Sequence, residues 1–372
     1  MTRKIFLLEN KKKIILIFLI LISIIIFISI FVYQKYNYNY FIQKIESSTG
    51  LEIKTNNDFS IKLFPKIHFI QNNLKIFKKN NNINLIFRKT NLELIKEYFD
   101  WNTTIINIKS PSAVFNGISL RNIIINTNYQ DKKVDIKKFS SDINNGRLNF
   151  LGEIIAGKEF NIKIDGNFEN LSLTDILNQL QLIQWKRLNI KLRSKNFSIK
   201  SHGTNNDKLI KNLSANFPIQ GLFYINATPE ERFGTALLNV LTKKIPDLKN
   251  LSSALDFIFS KYADVPSQIK GSVKIKNGKI QTDEIVIYNE AAKMDVDLTY
   301  DYNNDELDGT LSFYNEEKIA LQAKVKGNIS SPQILIGSKT LVVGEDKEPL
   351  EDIKKVIEEG ITNIFQKLLD NN

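Results

Sequence analysis

His68 and His202 are the only imidazoles in the 372-residue chain, so any histidine-based metal site or general base would have to be built on them. Neither lies in a metal-binding spacing such as H-x-x-x-H. His68 falls in the strand-like stretch KIHFI, where an ordinary sheet position is expected, and His202 in the polar SHGTNNDKL, where a solvated loop residue is expected. With no cysteine there is no disulfide framework, thiolate zinc site or cysteine nucleophile. The sequence holds no Gly-rich phosphate loop, G-x-S-x-G elbow or kinase signature. One acidic cluster remains, Asp301, Asp305, Glu306 and Asp308, with groups suited to calcium or to paired-carboxylate catalysis. Its spacing fails the EF-hand pattern, and it reads as a hairpin turn between Tyr300 and Leu311. No catalytic residue, metal ligand or cofactor site is therefore assigned.

The elements tell more than the reactive groups. From about residue 50, short stretches rich in Ile, Phe, Leu and Val alternate with polar residues between turn signals, which is the period of antiparallel strands. Asn116-Gly117, Asn145-Gly146 and Asn277-Gly278 are hairpin dipeptides, because a type I′ turn needs positive φ at both central residues. Val273 and Ile275 precede the last of these and Ile280, Ile285 and Ile287 follow it, so the two strands fold back on one apolar face. Helices are few. Leu173, Ile176, Leu177, Leu180 and Ile183 recur at helical spacing over 172–183. Thr228-Pro229-Glu230-Glu231 caps a helix that Pro246 interrupts, and a second runs over 251–262, ended before Pro266. Over 349–369, Leu350, Ile353, Ile357, Ile361, Ile364 and Leu368 form one apolar stripe.

Composition adds a location. The 42% apolar content suffices for a large core, while the abundance of Ile, Asn, Lys and Phe matches an AT-rich coding bias. The net charge of +11 is uneven: residues 1–200 carry +16 and residues 201–372 carry −5. The basic front reads as solvated strand faces or as a surface near anionic lipid headgroups, and nucleic acid is not expected as a partner. Residues 14–33 form a 20-residue run broken only by Ser23 and Ser29, long enough to span roughly 30 Å. Arg3, Lys4, Lys11, Lys12 and Lys13 precede it, so residues 1–13 are expected in the cytoplasm and the remainder outside. Tyr33, Tyr36, Tyr38 and Tyr40 sit where an interfacial aromatic belt would lie. A cleaved signal peptide is disfavoured by the length of the run and the lack of an A-x-A-like site.

Specific residues then resemble the AsmA family of bacterial envelope proteins. Ser48-Thr49-Gly50, followed by a strand ending in Leu63-Phe64-Pro65, looks like that family's opening. Ile105, Ile106, Ile108 and Pro111 look like a following strand that ends at the proline. IKGSVKIKNGKIQTDEIVI, holding Asn277 and Gly278, is similar to the hairpin of its C-terminal module, and LQAKVKGNISSPQI to its closing strand and G-x-x-x-x-P turn. The chain is shorter than many members, and 228–262 has no counterpart.

The resemblance implies a mainly β fold. An N-terminal transmembrane helix leads into an elongated, curled, groove-like antiparallel sheet with a few short helices and the C-terminal amphipathic helix. The expected division is 41–200, then 214–343 with 228–262 as a helical insertion, the boundary falling in the polar 201–213. It further implies a non-enzymatic protein of the inner membrane with its C-terminal domain in the periplasm. Such a protein would bind or transfer membrane phospholipid along the apolar side of the sheet, in support of outer-membrane biogenesis. Val273, Ile275, Ile280, Ile285 and Ile287 are the candidate groove residues. The second implied role is an assembly factor with outer-membrane or periplasmic proteins as partners. One apolar face per strand fits an open groove and a filled sandwich equally.

Overall fold

The structure, a computed structural model, describes residues 43, 46, 52–54, 59–62, 64–79, 84–96, 102–182, 188–227, 249–336 and 339–342. The proposed span 14–33, the helix opening at Thr228, the stripe over 349–369, Gly50 and Leu63 lie outside these.

Among the described residues the chain folds as strands joined mainly by short turns. They are β1 (Glu52–Lys54), β2 (Phe59–Lys62), β3 (Ile67–Lys79), β4 (Asn84–Lys96), β5 (Thr104–Phe115), β6 (Ile118–Gln130), β7 (Lys133–Ile143), β8 (Gly146–Ala156) and β9 (Phe160–Ser172). The series continues with β10 (Leu188–Gly203), β11 (Ser214–Ile225), β12 (Ser267–Lys276), β13 (Lys279–Tyr288), β14 (Lys293–Asp301), β15 (Glu306–Asn315), β16 (Lys318–Gly327), β17 (Pro332–Ile336) and β18 (Lys339–Val342). From β3 to β18 each strand pairs antiparallel with the next, and β1 and β2 both lie along the free edge of β3. The result is one curved, unclosed meander. The polar segment 201–213 does not interrupt it, because β10 hydrogen-bonds to both β9 and β11.

Turn chemistry explains the hairpins. Asn116-Gly117 and Asn277-Gly278 take positive φ at both residues, and Phe115 pairs with Ile118 and Lys276 with Lys279 around them. The third dipeptide is shifted by one residue. The loop is Asn144-Asn145, with Asn144 at φ 53° and Gly146 already paired to Ile143 as a strand residue. Gly146 is needed for space, since a Cβ there would meet the Asn170 carbonyl at 2.6 Å. The acidic cluster lies at a hairpin as expected, with Asp301 opposite Glu306 and Tyr300 opposite Leu307.

β5 does not end at Pro111 but continues to Phe115. Ladder pairing keeps one register from Ser110↔Ile123 to Ser112↔Arg121 and passes over Pro111, whose missing N–H is not required there. The registers of β3 with β4, β6 with β7 and β7 with β8 do shift, and Asn73, Lys89 and Asn122 adopt positive φ. Such bulges bend strands and increase twist. Buried hydroxyls pair with the carbonyls there. Ser110 Oγ lies 3.0 Å from both the Arg88 and Ser112 carbonyls, which share its single proton, and accepts from Thr90 Oγ1 at 3.1 Å, while Ser141 Oγ donates to the Arg121 carbonyl. The G-x-x-x-x-P motif forms a hairpin with Gly327 opposite Pro332, and β17 and β18 extend the sheet past it.

Three helices are described. α1 (Leu173–Gln179) starts where Ser172 Oγ accepts from the Asp175 amide. α2 (Asn206–Lys211), unforeseen in the polar segment, is capped in the same way by Asn205. α3 (Lys249–Tyr262) matches the expected second helix. His202 is not in a loop: it is paired to Asn161 near the end of β10, with its side chain exposed.

Candidate functional site

Directly opposed residues share a face of a sheet, and one unbroken line of opposed pairs crosses fifteen strands. From β3 it runs Phe69, Leu94, Ile106, Thr127, Ile136 and Gly152. It continues through Ile164, Ile199, Ala215, Ile275, Ile280 and Tyr300 to Leu307, Gly327 and Pro332. No member is charged, the polar groups being the hydroxyls of Thr127 and Tyr300, and every member is buried or half-buried. At about 4.8 Å per strand the line measures roughly 70 Å along the sheet.

One residue along each strand the other face begins, and its composition is opposite. Asp135, Glu153, Lys163 and Lys200 follow one another across β7 to β10, and Lys274 and Gln281 oppose each other in β12 and β13. Lys133 pairs with Glu153 at 2.7 Å and Lys274 with Asp283 at 2.6 Å. These exposed pairs are screened by solvent and act to keep this face wet. His68 belongs here too, its Nδ1 3.2 Å from Glu93 Oε1, while Glu93 Oε2 accepts from Asn107 Nδ2 at 3.0 Å. The Asn107 amide, aided by His68, holds the Glu93 carboxyl below its ordinary range despite partial desolvation.

The five candidate residues all lie on the apolar face but in two settings. Ile275 and Ile280 belong to the long line, half-buried and outside the main core cluster. Ile285 and Ile287 are within that cluster at 5% and 4% exposure, and Val273 packs against it. A second line explains the difference. Leu171, Leu192, Gly221, Ile269, Ile287, Met294, Phe313 and Leu321 cross β9 to β16 beside the first line. α3 covers this second line: the Tyr262 ring meets Phe223 and Phe313 edge-on, and Phe257 meets Phe313 at 6.4 Å. The aromatic seat of Phe223 and Phe313 was not among the sequence candidates: Phe313 carried a signal in the alternation Leu311-Ser312-Phe313, whereas Phe223 lies in the unbroken run Leu222-Phe223-Tyr224-Ile225.

Two phenols stand out. Tyr300 lies on the long line and donates to Asp305 Oδ1 at 2.9 Å, and burial together with that carboxylate pushes its pKa up to about 12. Tyr262 is fully buried, its hydroxyl has no hydrogen-bond partner among the described residues, and burial raises its pKa well above the tyrosine range. Neither phenol is ionised near neutrality, so neither serves there as a base. Among the described residues no group of three or more His, Asp or Glu is placed to hold a metal ion. Nor is any described helix long and apolar enough to cross a membrane. What the apolar face can do chemically is shield hydrocarbon from water over a distance that many strands provide. Compared with known proteins, the chain matches no family model, no curated protein and no solved structure.

Proposed function

We propose that this protein is a non-enzymatic, membrane-anchored envelope protein that binds phospholipid acyl chains along the apolar face of its sheet and passes them through water. The carrying observation is the uncharged line from Phe69 to Pro332, backed by a mainly polar opposite face, in a curved, unclosed sheet. An acyl chain leaving a membrane exposes hydrocarbon at about 0.8 kcal/mol per CH₂. A continuous apolar strip offsets that cost at each position, with no reactive group needed. The apolar run 14–33 and its five preceding basic residues support an inner-membrane anchor with the sheet on the periplasmic side.

The test is mass spectrometry of lipid extracted from the purified full chain. Phospholipid near or above one molecule per chain supports the proposal. A folded chain free of phospholipid, with unfolded outer-membrane protein bound instead, would replace it with an assembly role.

A further inference from the structure

We propose that α3 is a displaceable plug: it occupies part of the apolar face with its own aromatic side chains, and acyl chains reach that part only when the helix swings away. This inference rests on the lipid-binding reading above and adds to it a means of regulation. The second apolar line, through Ile269, Ile287 and Phe313, continues the same uncharged face as Ile275 and Ile280, yet it is the part that α3 covers. The covering groups, Phe257, Phe259 and Tyr262, enter the cluster from the connection 226–266 between two neighbouring strands rather than from the sheet itself.

The C-terminal end of α3 is fastened in a way that suits a hinge. At the C-terminal end of α3 the Lys261 carbonyl accepts from Asn289 Nδ2 at 2.9 Å, and the Asp264 amide donates to the Ile225 carbonyl at 2.8 Å. Ile225 and Ala263 also form a short parallel bridge, so this end is tied to β11 and to the β13–β14 turn. Along the body Phe257 and Tyr262 meet the sheet ring against ring, contacts that an acyl chain can replace without leaving any sheet hydrogen bond unmade. The Tyr262 hydroxyl, buried without a partner among the described residues, marks the seat as an imperfect fit for the helix. The outward side of α3 is polar, with Asp256 and Ser260 exposed, so the displaced helix would keep a solvated face.

The absence of cysteine permits a direct test on the full chain. A single Ser260→Cys substitution, labelled with an environment-sensitive dye, reports on the helix while vesicles of phosphatidylglycerol carrying a fluorescent acyl chain are added. In parallel, Phe257→Ala with Ile258→Ala weakens the plug without altering the sheet. The expected result is a dye shift that saturates with lipid uptake, together with an uptake several-fold greater in the weakened variant. Lipid uptake with no dye shift and no gain in the variant overturns the plug and leaves the lipid-binding reading standing. No uptake by either protein, both folded, overturns the lipid-binding reading and the plug with it.

Discussion

The ring of Tyr262 in α3 packs edge-on against that of Phe313 in β15, with centroids 6.0 Å apart and planes at 66°, while the Tyr262 hydroxyl finds no hydrogen-bond partner among the described residues. The ring therefore contributes to stability and the hydroxyl opposes it. Tyr262→Phe should leave stability unchanged or raise it by up to about 1 kcal/mol in urea unfolding. A loss of more than about 1 kcal/mol would mean that the hydroxyl is satisfied. Tyr262→Ala, which removes the ring as well, should cost about 3 to 5 kcal/mol.

Charge on the apolar face should act differently at the two kinds of position. Ile287 is packed beneath α3, so Ile287→Asp buries an unpaired carboxylate and should lower stability by about 4 kcal/mol or more. Ile275 is half-buried on the open line, where an aspartate can keep water, so Ile275→Asp should cost no more than about 1.5 kcal/mol while blocking lipid uptake. Thermal melts read alongside a lipid-uptake assay separate these. Equal collapse of both variants would indicate a filled core along the whole face.

Glycines mark the closest strand approaches. At Gly221, opposite Leu192 and Ile269, an added Cβ would fall on the Lys191 carbonyl, so Gly221→Ala should destabilise by about 1 to 3 kcal/mol. Gly157, in the β8–β9 turn, has its nearest neighbour at 3.6 Å, and Gly157→Ala should stay within about 0.5 kcal/mol. Denaturant midpoints of the pair provide the check, and similar effects at both would contradict the packing described.

The Glu93 carboxyl is held below 4.5 by the Asn107 amide and by His68. The folded state thus holds this proton less tightly than the unfolded state, and stability from Glu93 is complete above 4.5 and lost as pH falls through the lowered value. Glu93→Gln should therefore flatten the fall in stability as pH drops below 4.5. An unchanged acid slope would show that the His68–Glu93–Asn107 contact makes no contribution in solution.

The alternating strand pattern and the hairpins at Asn116-Gly117 and Asn277-Gly278 were legible in the sequence, because side-chain direction and positive φ are local properties. Ile275 and Ile280 were legible for the same reason, since a two-residue turn fixes their register. The Asp131-Lys132 turn, with φ of 46° and 65° and no glycine, was not, because the paired strands impose its conformation. The bulge around Asn122 depends on how neighbouring strands count residues against each other, which no single segment encodes. The same holds for α3: its amphipathic pattern signals that it must cover something, and only the folded sheet brings Ile285 and Ile287 beneath it.

The central claim, that lipid lies on the face containing Ile275, is tested most directly by placing a photo-crosslinking amino acid at Ile275 and, separately, at its neighbour Lys274 on the charged face. Irradiation of the full chain in membranes, followed by mass spectrometry, should yield phospholipid adducts at position 275 and few or none at 274. Equal adducts at both positions, or none at 275 in a folded chain, would contradict the account.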